Sequence, residues 1–392
     1  MSIMLVIGTR PEIVKMAPVV RSMEELRMDY TTVHTNQHYD QSMNGAFFEE
    51  LKLPEPDEFL ETPKKASHAE QTSHIMIGIE RLIRRRSPSL VVVEGDTNTV
   101  MATALTAVKS GVPVAHVEAG LRSHDMRMPE ELNRKITDNL SSLLFAPTEQ
   151  AKKNLINENI RGKTFVTGNT VIDSCIHFSS IAMAKSRITD RLRFDEYALA
   201  TIHRAENVDE RETLAKIVEI IERSPIPIVF PIHPRTSKML KFYGLFDRVS
   251  GSKNIQLIDP VGYFDFLKLM VCSKFILTDS GGIQEEATAP TIRKLVLVLR
   301  ESTERPEAVK AGFCKVVGTD PEIVLSELDI CANKVAPNIS SPYGDGTAGR
   351  RIAEIIKKQM EDGFEVDLLR AGFRQGKKSL IEEEITVERE RT

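Results

Sequence analysis

The chain alternates between short apolar runs and longer segments with helical periodicity. The apolar runs are rich in Val, Ile and Leu and end in polar or glycine-containing turns. Such runs indicate strands that helices cover on both faces, as in a parallel sheet, and the pattern therefore predicts an α/β fold. The runs of the first half are IMLVIG (3–8), TTVHTN (31–36), LVVVEGD (90–96), VAHVEAG (114–120), LLFAP (143–147) and TFVTGN (164–169).

A second series of strand and helix patterns begins after residue 190. Two series in succession predict two doubly wound, Rossmann-like domains, at residues 1–168 and 169–350. Ligands of open α/β sheets bind beyond the carboxyl ends of the strands, so we expect a cleft between the two domains. Residues 351–392 should form a C-terminal helix and charged tail that pack back on the N-terminal domain. The runs of the second series are ALATIH (198–203), PIVFPIH (227–233), IQLID (255–259), FILTDSGG (275–282), LVLVLR (295–300) and KVVG (315–318).

Composition narrows the class of protein. The 392 residues carry a net charge of −4, with 41% hydrophobic and 28% charged residues, which argues against general disorder and against attraction to nucleic acid or an anionic membrane. The four cysteines lie far apart without zinc-site spacing and fit a reducing compartment. No run approaches the roughly 20 apolar residues of a membrane helix, and the N-terminal run is too short for a signal peptide. We therefore expect a cytoplasmic protein without a metal site.

Polar residues follow the predicted strands of the first domain at their carboxyl ends. Arg10 and Lys15 lie near the positive end of the first helix, where they either bind an anion or are ordinary surface cations. Asp96 and Glu118 each follow a strand, so we expect both carboxylates at one edge of the sheet. Their pKa values should then be shifted and coupled, as proton transfer requires. The alternative is that each carboxylate caps the next helix.

The segment MPEELNRKITDN (128–139) places two acidic residues in the first turn of a helix. Glu130 and Glu131 follow Pro129, and Arg134 lies four positions after Glu130. Stabilisation by the helix dipole and by an ion pair accounts for this pattern without a catalytic role.

Two predicted strands of the second domain end in a histidine, His203 and His233. A histidine at the carboxyl end of a strand can act as an acid, a base or a phosphate partner, or it can be a structural side chain. The sequence leaves both interpretations open for each residue.

The segment FILTDSGGIQEEA (275–287) gives the clearest indication of a ligand. Its adjacent glycines allow backbone N–H groups to converge at a helix N-terminus, which favours phosphate binding over a plain tight turn. The motif is neither a Walker motif nor G-x-G-x-x-G, so ATP and NAD are not indicated. Glu286 is placed to reach a ribose diol, and Arg305 is available for the phosphates. A nucleotide-sugar fits these features, with its diphosphate and ribose on the second domain and its sugar facing the first.

The chain carries many ordered blocks that resemble one enzyme family, the non-hydrolysing UDP-N-acetylglucosamine 2-epimerases. The resemblance runs in order over residues 1–360. It implies a glycosyltransferase-B-like fold, a homodimer and interconversion of UDP-GlcNAc and UDP-ManNAc. The blocks are GTRPEIVKMAPV (8–19), EGDTNTVMATAL (94–105), HVEAGLRS (116–123), PEELNR (129–134), TGNTVID (167–173), HRAEN (203–207), TDSGGIQEEA (278–287), TERPEAV (303–309) and PYGDG (342–346).

The resemblance also implies a mechanism. The family is understood to eliminate UDP to give 2-acetamidoglucal and then to add UDP back with inversion at C2. This route needs a base, an acid on the opposite face and stabilisation of the departing diphosphate. It needs no metal and no NAD, so no cofactor is expected.

Site residues follow from the matching positions. The catalytic positions are Asp96, Glu118, Glu130 and His203. The substrate-binding positions are Arg10, Lys15, Arg134, Phe266, Ser280, Gly281, Gly282, Glu286 and Arg305. Gln37, His38 and His233 resemble part of a second, activating UDP-GlcNAc site.

Other activities remain open at this point. The main alternative among enzymes is a UDP-2,3-diacetamido-glucuronate 2-epimerase or a hydrolysing relative that releases ManNAc and UDP, although the block GTRPEIVKMAPV favours the GlcNAc enzyme. A glycosyltransferase of the same fold is a further alternative, although it does not need three acidic groups around C2. A nucleotide-sugar sensor without catalysis is the last, and the intact carboxylates argue against it.

Overall fold

The computed structural model describes residues 2–37, 47–61, 63 and 66–362, and they divide into two compact units. The first unit comprises residues up to Thr167 together with the described residues from Gly349 onward, and the second comprises Gly168–Ala348. The part of the predicted tail after residue 362 lies outside the described residues, as does His38. None of the described helices is both long enough and apolar enough to cross a membrane.

The first unit is built on a parallel sheet. Its strands are β1 (Ile3–Ile7), β2 (Tyr30–His34), β3 (Glu58–Phe59), β4 (Leu90–Glu94), β5 (Val114–Val117), β6 (Leu143–Ala146) and β7 (Lys163–Val166). They lie in the order β3-β2-β1-β4-β5-β6-β7, and each described pair is parallel. Strands β1, β4, β5 and β6 are buried along their whole length, which explains their continuous apolar sequences.

Helices cover this sheet. They are α1 (Arg10–Glu25), α2 (His68–Arg86), α3 (Asn98–Lys109), α4 (Pro129–Leu140) and α5 (Glu149–Asn157). Local sequence sets where they begin: Ser67 and Glu70 form a capping box before α2, and Thr97 caps α3. The core between the sheet and helices α2 and α3 consists of aliphatic side chains, including Met4, Val6, Ile75, Ile79, Val91, Val93 and Val100.

The second unit repeats this design on a six-stranded sheet. Its strands are β8 (Ala198–Thr201), β9 (Ile228–Pro231), β10 (Ile255–Ile258), β11 (Ile276–Thr278), β12 (Val296–Val298) and β13 (Cys314–Val316), in the order β10-β9-β8-β11-β12-β13. Its helices are α6 (Thr170–Lys185), α7 (Ala205–Val208), α8 (Arg211–Glu222), α9 (Pro234–Phe242), α10 (Phe246–Ser250), α11 (Tyr263–Cys272), α12 (Gly281–Glu286), α13 (Pro306–Lys310) and α14 (Pro321–Asn333). The predicted α/β class and the doubly wound, Rossmann-like topology are confirmed.

The last described helix, α15 (Ala348–Glu361), joins the first unit from Gly349 onward. Gly349 lies directly against α1, since a Cβ there would come within 2.6 Å of the Pro18 carbonyl carbon. Arg350 forms an ion pair with Glu25 at 3.0 Å. Within the first unit, these contacts join the two ends of its sequence.

In each sheet the strand order reverses at one position, between β1 and β4 in the first unit and between β8 and β11 in the second. Crossover helices leave such a point toward opposite faces, which opens a crevice outside the carboxyl ends of the two strands. Residues directly after these strands are therefore the expected ligand positions. They include Arg10 and Asp96 in the first unit, and His203 and Ser280 in the second.

The first turn of α1 contains a buried carboxyl group, Glu12. Its Oε2 accepts a hydrogen bond from the Gly8 N–H at 2.7 Å, and its Oε1 accepts one from Thr9 Oγ1 at 3.0 Å. Burial nevertheless raises the pKa of Glu12 from its ordinary value near 4.5 to about 7. The folded protein therefore holds a proton on Glu12 over a range in which the unfolded chain releases it.

This shift makes stability dependent on pH. The contribution of protonated Glu12 is complete below the unfolded-state pKa and is lost as pH rises from about 4.5 to about 7. A Glu12→Gln variant stays neutral and avoids this loss, so it should gain up to about 3 kcal/mol relative to the unaltered protein across that window. Urea unfolding at about pH 5 and about pH 8 measures the difference. An identical difference at the two pH values would contradict the prediction.

Candidate active site

Three side chains meet at the carboxyl ends of β4 and β5. Lys15 comes from α1, Glu94 is the last residue of β4, and Glu118 directly follows β5. Lys15 Nζ lies 3.2 Å from Glu94 Oε1 and 2.6 Å from Glu118 Oε2. Both carboxylates are buried, so two acidic groups share one ammonium group away from bulk water. The structure thus brings Lys15 and Glu118 together and adds Glu94, which the sequence analysis did not select.

The backbone fixes the position of Glu118. Its φ is +70°, in the left-handed region of backbone conformation. Residues other than glycine rarely adopt this region, and those that do are often found in turns or functional sites. His116, on β5, makes hydrogen bonds beside this turn. Its Nε2 lies 2.8 Å from the Gly95 carbonyl oxygen, and its Nδ1 lies 2.7 Å from Asp138 Oδ1. Asp138 Oδ2 also accepts the Gly120 N–H at 3.2 Å. The carboxylate after β5 is therefore held by a rigid turn.

The electrostatics of the cluster favour retention of a proton. Burial raises the pKa of Glu94 well above its ordinary value, and Lys15 opposes this effect only in part. The nearby charges of Glu118 and Glu12 raise the pKa further. A sequence signal for Glu94 existed: it is the one charged side chain in the apolar run LVVVE of β4.

A second acidic group lies beside Arg134 on α4. Arg134 Nη1 is 2.6 Å from Asp96 Oδ2, and its Nη2 is 2.9 Å from Glu131 Oε2. Asn133 Nδ2 donates to the Asp96 carbonyl at 2.9 Å. The Asp96 side chain is 31% exposed, whereas the side chains of Arg134 and Glu131 are almost fully buried. Asp96, Arg134 and Glu131 therefore form a line of ion pairs, of which Asp96 is the most exposed member.

The neighbouring glutamates of α4 occupy different environments. Glu130 is exposed, whereas Glu131 is buried and accepts the Ser123 N–H at 2.9 Å. Although burial acts to raise it, hydrogen bonds from Ser123 and the Arg134 guanidinium lower the pKa of Glu131. Glu131 is thus the glutamate that holds Arg134 in place, which the sequence analysis treated only as helix stabilisation. The catalytic role predicted for Glu130 stays a prediction.

The other predicted positions of the first unit lie close to the start of α1 and α3. The Arg10 guanidinium lies over the Phe47 ring, 5.7 Å from its centroid. Gln37 Oε1 accepts from the backbone N–H of Thr99 at 2.9 Å and from its Oγ1 at 2.7 Å. The Gln37 carboxamide oxygen therefore binds the first turn of α3, and its predicted role in activation stays a prediction.

In the second unit, Asp279 organises the residues after β8. It is fully buried, and its Oδ2 accepts the backbone N–H groups of His203 and Arg204 at 2.9 Å each and Asn207 Nδ2 at 3.0 Å. His203 Nδ1 faces Asp279 Oδ1 at 3.3 Å, which directs Nε2 away from the carboxylate. The sequence analysis missed Asp279, although it directly precedes the glycine-containing turn of the SGG motif.

The two predicted histidines lie together. The ring centroids of His203 and His233 are 5.3 Å apart. Burial lowers the pKa of both rings, although the Asp279 carboxylate acts in the opposite direction on each. Both imidazoles are therefore neutral near neutral pH, so each is able to accept a proton.

The two glycines of the turn after β11 have different surroundings. A Cβ at Gly282 would meet nothing within 4 Å, whereas one at Gly281 would lie 2.8 Å from Glu304 Oε1. Despite burial, the guanidinium groups nearby, those of Arg305, Arg300 and Arg204, lower the pKa of Glu304 to about 2. The backbone beyond Ser280 thus borders a cluster of arginine and glutamate side chains that are paired with one another.

The remaining predicted contacts lie in two helices and directly before a third. Arg305 is buried, and its Nε lies 2.5 Å from Glu285 Oε1. Glu286 is half-buried in α12, where its charge helps to raise the pKa of the Tyr263 hydroxyl, although burial is the larger cause. Phe266 is half-buried in the first turns of α11.

The two units differ in the chemistry they offer. The first presents carboxylates around one ammonium and one guanidinium group, an arrangement suited to proton transfer. The second presents neutral imidazole, arginine and open backbone at a glycine pair, an arrangement suited to binding an anion. Within the described residues, no group of three or more His, Cys, Asp or Glu side chains is arranged to hold a metal ion.

The chain is similar over most of its length to known sugar-nucleotide enzymes. The family model described as UDP-N-acetylglucosamine 2-epimerase matches residues 21–357. The UDP-N-acetylglucosamine 2-epimerase of Methanocaldococcus jannaschii is 46% identical over 365 residues, which cover 91% of this chain and 99% of that protein. The UDP-2,3-diacetamido-2,3-dideoxy-D-glucuronate 2-epimerase of Pseudomonas aeruginosa is 38% identical over 365 residues, which cover 91% of this chain and 100% of that protein.

The similarity extends to three dimensions. The crystal structure of the M. jannaschii UDP-GlcNAc 2-epimerase in complex with UDP-GlcNAc and UDP matches with a TM-score of 0.84 at 46% identity, covering 91% of this chain and 100% of that one. Sequence motifs, family model and fold therefore agree over the same part of the chain. This protein belongs to the UDP-N-acetylglucosamine 2-epimerase family, as its motifs predicted.

Proposed function

We propose that this protein interconverts UDP-GlcNAc and UDP-ManNAc as a non-hydrolysing UDP-N-acetylglucosamine 2-epimerase. The observation that carries the proposal is the pair of buried carboxylates around Lys15, with Asp96 held by Arg134, in a member of this family. Inversion at C2 requires removal of a weakly acidic hydrogen, and positioned carboxylates are the groups that perform such proton transfers.

The reaction proceeds by elimination and addition. A base takes the C2 proton while the bond between C1 and the UDP oxygen breaks, and UDP leaves with the electron pair. The product of this step is 2-acetamidoglucal, with a double bond between C1 and C2. UDP then adds back to C1 while an acid delivers a proton to the opposite face of C2. The overall change is inversion at C2 without net consumption of UDP or water.

The two units divide these tasks. The first, predicted to span residues 1–168, supplies the acid and base, and the second, predicted to span 169–350, holds the nucleotide. His203 acts near the phosphates or the glycosidic oxygen, where its Nε2 faces away from Asp279. The acid and base are drawn from Asp96, Glu118 and Glu130; the substrate contacts are Arg10, Lys15, Arg134, Phe266, Ser280, Gly281, Gly282, Glu286 and Arg305.

The substrate of the Pseudomonas relative is the main alternative. That relative acts on a diacetamido-glucuronate, according to its name, at 38% identity against 46% for the Methanocaldococcus enzyme. The higher identity supports UDP-GlcNAc. Activation by a second UDP-GlcNAc at Gln37, His38 and His233, and a cytoplasmic location, stay predictions.

Proton NMR of the purified protein with UDP-GlcNAc in D2O tests the activity directly. UDP-ManNAc carrying deuterium at C2 is expected, without added metal or NAD. Turnover of only the diacetamido-glucuronate substrate would replace the proposal with the alternative, and accumulation of free ManNAc and UDP would indicate a hydrolysing enzyme.

Two variants separate proton transfer from binding. Glu118→Gln keeps the size of the side chain but cannot exchange a proton at neutral pH, so kcat should fall by about 10²-fold or more with little change in KM. Arg10→Ala removes a predicted contact to the nucleotide-sugar and should instead raise KM. Steady-state kinetics of both variants make the comparison. An unaltered kcat for Glu118→Gln would remove Glu118 from the mechanism.

We further propose that the protein is a homodimer that associates through the outer face of α4. Leu132 and Ile136 lie one turn apart on this helix and are 43% and 40% exposed, and the preceding Met126 is 53% exposed. Adjacent exposed apolar side chains favour burial against a second copy.

Light scattering tests this surface. The unaltered protein should have twice the chain mass, and the double substitution Leu132→Glu and Ile136→Lys should halve it, because charges on an apolar interface oppose association. Ile323→Glu, on an exposed face of α14, is the control and should leave the mass unchanged. A monomeric unaltered protein would overturn the homodimer, and a dimeric double variant would move the interface elsewhere.

A further inference from the structure

Asp279 is a fully buried carboxylate to which the proposed mechanism assigns no role. It directly follows β11, and its backbone N–H donates to the Thr201 carbonyl at the end of β8 at 3.3 Å. Three donors converge on its Oδ2: the backbone N–H groups of His203 and Arg204, at 2.9 Å each, and the Asn207 amide group, at 3.0 Å. Because each partner donates, the side chain acts as an acceptor, which is the role of an ionised carboxylate.

The other oxygen of Asp279 faces the His203 ring. Oδ1 lies 3.3 Å from Nδ1 of His203. A carboxylate beside one ring nitrogen favours the tautomer that carries its proton on that nitrogen. Burial lowers the pKa of the ring, the Asp279 charge opposes this effect, and the charges of Arg204 and Arg235 add to it. The neutral ring therefore has its proton on Nδ1 and a free lone pair on Nε2.

The neighbouring His233 has the opposite arrangement. Its Nδ1 accepts the Arg235 N–H at 3.1 Å, where the side chain caps α9. A ring nitrogen that accepts carries no proton, so the neutral His233 ring has its proton on Nε2. The centroids of the two rings are only 5.3 Å apart. The contact that each Nδ1 makes, rather than the burial that both rings share, thus distinguishes the two histidines.

We propose that Asp279 is a positioning residue of the reaction, which holds the proton of His203 on Nδ1 and thereby leaves Nε2 as the atom that exchanges a proton with the departing UDP. The inference rests on the proposed function, because it takes His203 as a group that acts at the phosphates. Asp279 is buried beneath the turn that carries His203, so it acts only through that ring.

The exchange is balanced in both directions. The negative charge of the diphosphate favours uptake of a proton from solvent by Nε2, and Asp279 offsets the positive charge of the ring that results. When the bond between C1 and the UDP oxygen breaks, the N–H bond at Nε2 breaks as well and an O–H bond forms on UDP. The ring returns to its neutral form with the proton on Nδ1. In the addition step the same proton returns to Nε2 as the bond to C1 forms again.

The substitution Asp279→Asn tests this assignment because the two oxygens of Asp279 have different partners. The three donors within 3.0 Å of Oδ2 require an acceptor there, so the amide oxygen should take that position. The amide NH2 group then lies at the position of Oδ1 and donates to Nδ1 of His203, which moves the ring proton to Nε2. The turn keeps its acceptor, whereas the tautomer of His203 is reversed.

The reversed tautomer separates binding from turnover. A protonated Nε2 still donates a hydrogen bond to the diphosphate, but a neutral ring does not release that proton. We therefore expect kcat with UDP-GlcNAc to fall by about 10²-fold in Asp279→Asn, while KM changes by less than about twofold. Steady-state kinetics measure both quantities. A raised KM with an unaltered kcat would overturn the inference and leave Asp279 a purely structural residue.

Nitrogen-15 NMR of histidine-labelled protein identifies the tautomers without turnover. Spectra are recorded at about pH 8, where both rings are neutral, and the variants His203→Gln and His233→Gln assign them. His203 should carry its proton on Nδ1 in the unaltered protein and on Nε2 in Asp279→Asn, whereas His233 should carry it on Nε2 in both. A proton on Nε2 of His203 in the unaltered protein would overturn the inference even if Asp279→Asn does not fold.

Asp209→Asn is the matched control. It removes another carboxylate near the two histidines, but Asp209 accepts from Arg235 Nε at 3.0 Å rather than facing an imidazole. The variant should keep the His203 tautomer and change kcat by less than about twofold. A reversed tautomer, or a loss of kcat equal to that of Asp279→Asn, would show that any lost carboxylate has the same effect, and would overturn the specific role of Asp279.

The two readouts separate a failure of the inference from a failure of the proposed function. The expected tautomers in a protein that turns over no nucleotide-sugar would contradict the proposed function but retain the control of the His203 ring by Asp279. Activity with UDP-GlcNAc together with an unaltered kcat in Asp279→Asn would contradict only the inference.

Discussion

The site of the first unit depends on one ammonium group between two buried carboxylates. Lys15 crosses from α1 to the ends of β4 and β5, and its contacts at 3.2 and 2.6 Å are what make burial of Glu94 and Glu118 tolerable. Removal of the lysine would leave two buried acidic groups facing each other without a cation between them. The left-handed backbone at Glu118 adds a second constraint, because it holds the carboxylate at one orientation. The parallel sheet provides the frame that places all three residues at one edge.

The second unit uses a buried carboxylate in a different way. Asp279 accepts hydrogen bonds from the backbone after β8 and from Asn207. Its partners are therefore hydrogen-bond donors rather than a lysine. It thereby fixes the turn that carries His203. In the first unit the acidic groups contact an ammonium group, whereas in the second the carboxylate holds a backbone turn. The same position in the fold, directly after a central strand, thus supports two kinds of chemistry.

Sequence patterns predicted the architecture well, because continuous apolar strands and intervening helices leave a strong periodic signal. The exception is β3, whose two residues at the sheet edge are too few to form a pattern. Asp96, Glu118 and His203 were selected as candidates because they follow strands. Glu94, Glu131 and Asp279 were not selected, since their importance lies in what they contact. A one-dimensional pattern does not show that Glu94 reaches Lys15, or that Glu131 rather than Glu130 faces Arg134.

The balance of charge differs between the units in a way that matches their proposed tasks. Around Lys15 the carboxyl groups outnumber the cation, so at least one proton is retained within the cluster. Around Glu304 the guanidinium groups of Arg204, Arg300 and Arg305 lower the pKa of the carboxyl group to about 2, so it stays ionised well into acid. Crowded carboxyl groups retain protons, whereas guanidinium groups attract an anion and give up no proton to it. Elimination of UDP needs both conditions at once, because a proton must leave C2 while negative charge develops on the diphosphate. Because the two environments belong to different compact units, each is built from its own set of residues.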